Sequence, residues 1–217
     1  MALTRLGPNQ SVNLASNVTG TLPTANGGTG ATSFSPASFI KLAETNVTSS
    51  TASVEFTDAT TGVFDDTYRT HVIFCNRLNP VDANKRLVLQ MRSASSGSYL
   101  TSSYAYVTKA FDTGGADRSD YATSGSQIYT LGGGNGFGDG SNEYGASCII
   151  YCNDFTDSTT PPTIFGNGGY SGASGYNSCN YFSGTYRDTS TTIDGIKLFF
   201  NSGNIDHGCF TIYGVAK

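Results

Sequence analysis

The sequence predicts an all-β protein, a β-sandwich or jelly-roll head preceded by an extended N-terminal oligomerisation segment. Residue usage is the first reason. Among 217 residues are 27 Gly, 13 Tyr and 13 Phe, with abundant Ser, Thr and Asn. Charged residues make up only 13%, against about 25% in an average domain. Thr, Tyr, Phe, Val and Ile suit the pleated, half-buried surface of a sheet, while Gly, Asn and Ser supply turns. The second reason is periodicity: short apolar or alternating runs are separated by turn residues, with no convincing helical stripe. The third is a change of character along the chain, which defines a segment of residues 1–36 and a head of residues 37–217.

The leading segment has no charged residue between Arg5 and Lys41. Disordered tails usually carry high net charge and few apolar residues. This one is neutral and spaces Val12, Leu14, Val18 and Leu22 along itself. It is too short and Gly-rich to form its own core, so these side chains are the expected oligomerisation contacts. Asn26-Gly27-Gly28-Thr29-Gly30, followed by Pro36, marks a turn or hinge.

In the head, strands are expected over residues 38–44, 52–56, 68–76, 86–92, 98–109, 127–131, 146–152, 162–166, 193–200 and 207–216. Arg86–Arg92 alternates: Leu87, Leu89 and Met91 point one way, Arg86, Val88, Gln90 and Arg92 the other. That pattern predicts one dry and one wet face. The second half of Tyr68–Asn76 is apolar on both faces, as in a central strand. Between the strands, residues 111–126, 131–145 and 167–190 read as long, nearly uncharged loops. Loops of that length in a compact domain are usually functional or disordered. Their Tyr, Ser, Gly and Asn content matches a recognition surface, in which flat rings anchor and small polar residues adapt. Tyr121, Tyr144, Tyr170, Tyr176, Tyr181 and Tyr186 are therefore the candidate receptor contacts.

Net charge is −4, and only Lys85 and Arg86 are adjacent among twelve basic residues, so no nucleic-acid partner is expected. No run approaches the roughly 18 apolar residues of a membrane span, and no membrane insertion is expected. The first residues lack an apolar signal-peptide core, which points to synthesis in the cytoplasm. Five cysteines is an odd number. Cys75, Cys148, Cys152 and Cys209 fall in strand-like segments and are expected reduced and buried, with Cys179 in a polar loop.

Chemistry is suggested in places and dismissed by geometry. Cys148 and Cys152, or His71 and Cys75, share a strand face about 13 Å apart, too far to hold one ion or form a disulfide. No metal ligands and no cofactor are expected. Most acids sit in turn contexts such as Gly138-Asp139-Gly140, where Asp bonds the local backbone. The run Gly132–Gly138 lacks the Lys-Ser/Thr ending of a phosphate loop. No catalytic residue is assigned, and the expectation is a protein that is not an enzyme.

Two segments carry a family resemblance. Asn17-Val18-Thr19-Gly20-Thr21-Leu22-Pro23-Thr24-Ala25-Asn26-Gly27-Gly28-Thr29-Gly30 resembles the NVTGTLP-x-ANGGTG stretch that recurs in tailed-bacteriophage tail fibres and related virion proteins. The C-terminal Ser202-Gly203-Asn204-Ile205 and Ile212-Tyr213-Gly214-Val215 are similar to the closing hairpin of many phage structural proteins. The resemblance implies a homotrimeric fibre or spike subunit of the virion. Its N-terminus would anchor to other virion proteins, and its head would meet a host-surface glycan or protein. It carries over no catalytic residues. The rival expectations are a capsid decoration or connector protein and a capsule depolymerase. Deletion of residues 1–36 is expected to weaken self-association of the full chain in light scattering. A stable monomer for the intact chain would contradict the expectation.

Overall fold

The chain divides into two units, Met1–Pro36 and Ala37–Lys217. The computed structural model describes residues 39–58, 63–64, 67–132, 136–137, 145–172, 176–188 and 191–216. Val12, Leu14, Val18, Leu22 and Tyr144 lie outside the described residues.

The head is an all-β sandwich. Its strands are β1 (Phe39–Val47), β2 (Val54–Thr57), β3 (Tyr68–Pro80), β4 (Leu87–Ser93), β5 (Tyr104–Asp112) and β6 (Asp117–Gly125). They continue with β7 (Ile128–Leu131), β8 (Ala146–Asn153), β9 (Thr163–Ser171), β10 (Asn177–Tyr186), β11 (Ile193–Phe200) and β12 (Ile205–Ala216). Eight form a large antiparallel sheet in the order β1-β12-β3-β8-β9-β10-β5-β6, and four form a small one in the order β2-β11-β4-β7.

The core lies between the sheets because the strands alternate. In β8, Ala146, Cys148, Ile150 and Cys152 point inward, while Ser147, Ile149, Tyr151 and Asn153 point out. From the small sheet come Phe56, Leu87, Leu89, Met91, Ile196, Leu198 and Phe200. Buried polar groups tie the layers. Asn180 on β10 donates through Nδ2 to Thr108 Oγ1 at 2.8 Å and, across the sandwich, to the Thr130 carbonyl at 3.1 Å. The Met91 amide of β4 donates to Tyr104 Oη of β5 at 2.7 Å. An unmatched polar group here would cost about 1–3 kcal/mol, so these contacts fix how the layers face each other.

Glycine sets the closest approach. A Cβ on Gly168 would lie 2.5 Å from the Ser147 carbonyl oxygen and 2.8 Å from Leu131 Cδ1. One on Gly184 would meet the Ile128 side chain at 2.9 Å. β7 therefore seats Ile128 and Leu131 on bare backbone of β9 and β10.

Four details depart from the sequence expectations. The described parts of residues 111–126 and 167–190 are not loops: they form β6, β10 and the second half of β9, paired within the large sheet. Cys179 accordingly sits on a strand. β4 is dry on both faces, because Val88 is flanked in register by Phe199 and Tyr129, and Gln90 donates to the Ser126 carbonyl at 3.0 Å. The C-terminal segment is no hairpin, since β11 pairs with β2 and β4 while β12 pairs with β1 and β3. Residues 201–204 turn a corner between sheets, with Gly203 at φ +73°.

Gly168→Ala is expected to lower stability by about 1–3 kcal/mol, the usual range for overpacking, because rigid backbone blocks the methyl group. Gly184→Ala is expected to cost less, since Ile128 can rotate away. Urea denaturation of both variants checks the order, and equal effects would contradict it.

Candidate contact surface

The large sheet has a second face, turned away from the small sheet. Alternation in β5 sends Tyr104, Tyr106, Thr108 and Ala110 inward and Val107, Lys109 and Phe111 outward. The same parity puts Phe165 and Asn167 of β9, and Cys179, Tyr181 and Ser183 of β10, on the outer face. The register then aligns these residues across seven of the eight strands. Tyr213 lies opposite Val72, Val72 opposite Tyr151, and Tyr151 opposite Phe165. Phe165 lies opposite Ser183, Ser183 opposite Val107, and Val107 opposite Tyr121. A largely apolar row crosses the sheet on its outer side.

The two halves of this row are treated differently. Over β12, β3 and β8 the rings cover one another, whereas Phe39 on the β1 edge is itself 49% exposed. Phe74 meets Tyr213 edge-on at 5.6 Å, Phe39 meets Tyr213 at 6.2 Å, and Val72 between its neighbours is only 1% exposed. At the midline Tyr151 stacks on Phe165 at 4.9 Å. Beyond it the side chains stand bare: Phe165 is 46% exposed, Phe111 48%, Val107 51%, Tyr181 56% and Tyr121 75%. A depression of about 240 Å³ lies between Val107, Lys109, Tyr181 and Ser183. Another of about 330 Å³ opens over Phe74, Ile149, Asn167 and Gly169.

Charge on this face is internally matched. Lys109 Nζ lies 2.7 Å from Asp117 Oδ1, and Lys41 Nζ lies 2.6 Å from Glu44 Oε2. Cys179 is exposed beside Tyr181. By contrast, burial pushes the Cys75 and Cys152 thiols up, which keeps them protonated.

A second exposed feature lies at one end of the large sheet, where the β5–β6 turn meets Tyr176 and the start of β10. The Thr113 amide donates to the Asn177 carbonyl at 3.0 Å, and the Asn177 amide returns a bond to Thr113 Oγ1 at 3.3 Å. Gly172 N–H donates to the Tyr176 carbonyl at 2.8 Å. Tyr176 lies against Gly114, where a Cβ would come within 2.9 Å of its ring. Asp112 holds the first turn by accepting from the Gly114 and Ala116 amides at 2.9 and 3.0 Å and from Arg118 Nε at 3.3 Å. Those donors hold the Asp112 carboxyl below the usual range, the Ala116 amide most strongly. From the segment 131–145, Phe137 closes the core beneath: it is 1% exposed and packs on Tyr170 at 5.0 Å and Phe200 at 5.3 Å.

The candidate tyrosines therefore separate. Tyr121 and Tyr181 share the outer face, and Tyr176 stands exposed at the turn cluster. Tyr170 and Tyr186 are 4% and 8% exposed and belong to the core, Tyr186 edge-on to Tyr104 at 5.5 Å. They are corrected from surface contacts to packing residues, because their strand parity points them inward. Sequence reasoning overlooked Val107, Phe111 and Phe165. Their signal was an apolar residue on the nominally wet side of a strand.

Several other described acids are engaged locally. Asp120 pairs with Arg86 at 2.6 Å, Asp194 pairs with Arg92, and Asp157 accepts from the Thr159 amide at 2.7 Å. Among the described residues no group of three His, Cys, Asp or Glu side chains is arranged to hold a metal ion.

Because the folded pKa of Asp112 is depressed, its contribution to the turn is full above the unfolded value of about 3.9 and is lost as pH falls through the folded one. Amide exchange at Gly114 and Ala116 is therefore expected to quicken, relative to the other turns, only below about pH 4. Asp112→Asn should raise exchange at neutral pH and flatten this pH dependence; an unchanged profile would contradict the assignment. No family model matches the chain, and no curated protein or solved structure is significantly similar to it.

Proposed function

We propose that this protein is a fibre-type structural subunit of a virion, homotrimeric, with a head that mediates attachment to a host-surface glycan or protein. The observation that carries the reading is the bare apolar half of the outer face. Contiguous exposed apolar surface of this kind marks an interaction site, so the head works by contact. The leader and C-terminal sequences that resemble tail-fibre proteins supply the setting, and the neutral leader supplies a route to self-association and virion anchoring.

Within this reading the turn cluster is the part that meets the host. Tyr176 is held against Gly114, and the β5–β6 turn is braced on the start of β10 through Thr113 and Asn177. A ring fixed in this way offers a flat apolar surface and one hydroxyl with little ordering entropy left to lose. A glycan ring can stack on it while Ser, Asn and backbone groups nearby take the hydroxyls. Asp112 and Asp117, the acids of the β5–β6 turn, are held by local partners, which favours binding over glycan cleavage as the role of this surface.

Tyr176→Ala in the full-length protein is expected to weaken binding to host cells about 30-fold, the ~2 kcal/mol of an aromatic hot spot. Circular dichroism should show an unchanged sheet signal. Unaltered adsorption by a folded variant would remove the turn cluster as the host contact. Failure of the wild-type protein to bind or block any susceptible host cell would remove the attachment reading.

A further inference from the structure

We infer that the cavity where β1, β12 and β3 meet, headed by Arg77, is a subsite for the carboxylate of an acidic sugar. The inference rests on the proposed attachment reading and deepens it by naming the class of glycan.

The site is built on an irregularity in β3. Opposite Gly208 this strand carries one residue too many, because His207 pairs with Asn79 and Cys209 with Asn76. The same surplus appears on its other side, where Cys75 pairs with Cys148 and Leu78 with Ala146. A bulge of this kind re-aims a side chain. Arg77 stands at it with φ +54°, a left-handed conformation that long side chains rarely adopt. The other non-glycine residues with positive φ, Asn84, Ser103 and Asp154, lie outside the strands. Backbone strain kept inside a strand points to a use for the side chain it carries.

Charge selects the ligand. Arg77 and His207, with Asn46, Thr48, Gly208 and Cys209, line a cavity of about 470 Å³, a size usual for ligand sites. No acid lines it. Glu44 and Asp206, within two residues of the lining, are held by Lys41 at 2.6 Å and by the His207 ring at 2.8 Å. Among the described residues, Arg69, Arg86, Arg92 and Arg118 each pair with an aspartate, and Arg187 donates to the Thr123 carbonyl. Arg77 is the described arginine with no such partner. Its planar fork matches a carboxylate, and Asn46 and Thr48 can take sugar hydroxyls. The depressions on the outer face offer nothing comparable. The one over Phe74 has an uncharged lining, and in the one over Val107 Lys109 is neutralised by Asp117.

Register puts this cavity at the same end of the sheet as Tyr176. Cys75, Cys148, Gly168, Asn180 and Ala110 share one row, and Arg77 and Asp112 both lie two residues beyond it toward that end. β3 and β10 are three strand spacings apart, about 14 Å. One oligosaccharide can lie across both features.

Full-length, isotope-labelled protein would be titrated with sodium glucuronate, sodium sialate, glucose and inorganic phosphate, and followed by NMR at the Gly208 amide. At least one sugar acid should shift this signal saturably, with phosphate binding more weakly and glucose silent. Glycine suits the left-handed φ, so Arg77→Gly should keep its melting temperature. It should bind the sugar acid about tenfold more weakly, the loss of one charge-assisted contact. Silence from both sugar acids, equal binding of phosphate or glucose, or undiminished binding by Arg77→Gly would each overturn the inference. A large fall in melting temperature would assign the side chain to the fold and would overturn it too. Adsorption of the wild-type protein to host cells is scored separately. Adsorption without sugar-acid binding sinks only this inference, whereas sugar-acid binding without adsorption sinks only the attachment reading.

Discussion

A sheet that is apolar on both sides must be buried twice, and this head supplies one covering layer. That constraint organises the molecule. The small sheet closes the inner face with Leu87, Leu89, Met91, Leu198 and Phe200. On the outer face, Val72 and its neighbours are covered by mutual ring packing, and the remainder is left open. Antiparallel sheets in sandwiches usually alternate apolar-in and polar-out. Here β5, β9 and β10 break the rule at Val107, Phe165 and Tyr181. The break leaves apolar area in water, which is driven toward any matching surface.

The inner side explains why the outer side is so regular. Gly168 and Gly184 let β7 approach the backbone of β9 and β10, and Asn180 and Tyr104 bond across the layers. These contacts fix the register of the ladder. A slip of one residue would turn every side chain to the opposite face. The alignment of Tyr151, Phe165, Val107 and Tyr121 on one row is therefore a consequence of the core, and the position of the turn cluster follows from the same register.

Much of this architecture was legible in the chain. Ten strand segments were visible because alternation or unbroken apolar runs marked them, as in Ala146–Asn153. β6 and β10 were not, because Asp117–Gly125 and Asn177–Tyr186 are rich in Ser, Gly, Asn and Asp, residues whose local preference is for turns. Ladder pairing with β5 and β9 overrides that preference. The same override moved Tyr170 and Tyr186 into the core: loop residues have no fixed side, whereas strand residues do. Tyr121, Tyr176 and Tyr181 remained exposed. Val107 and Phe165 could be recognised as surface residues only after register was known, since sequence alone does not say which face of a two-sided strand is covered. The charge-free leader and its apolar positions were plain in the sequence, as was the absence of any basic cluster.

The account stands or falls on whether the open face is covered in the assembled particle. Hydroxyl-radical footprinting of the protein in that particle, compared with the same protein dissociated in mild denaturant below its unfolding transition, measures this side chain by side chain. Strong protection of Phe165, Tyr181 and Tyr121, with Tyr176 equally oxidised in both states, is the predicted pattern. Equal oxidation of the face residues in both states would show that nothing covers them and would contradict the account.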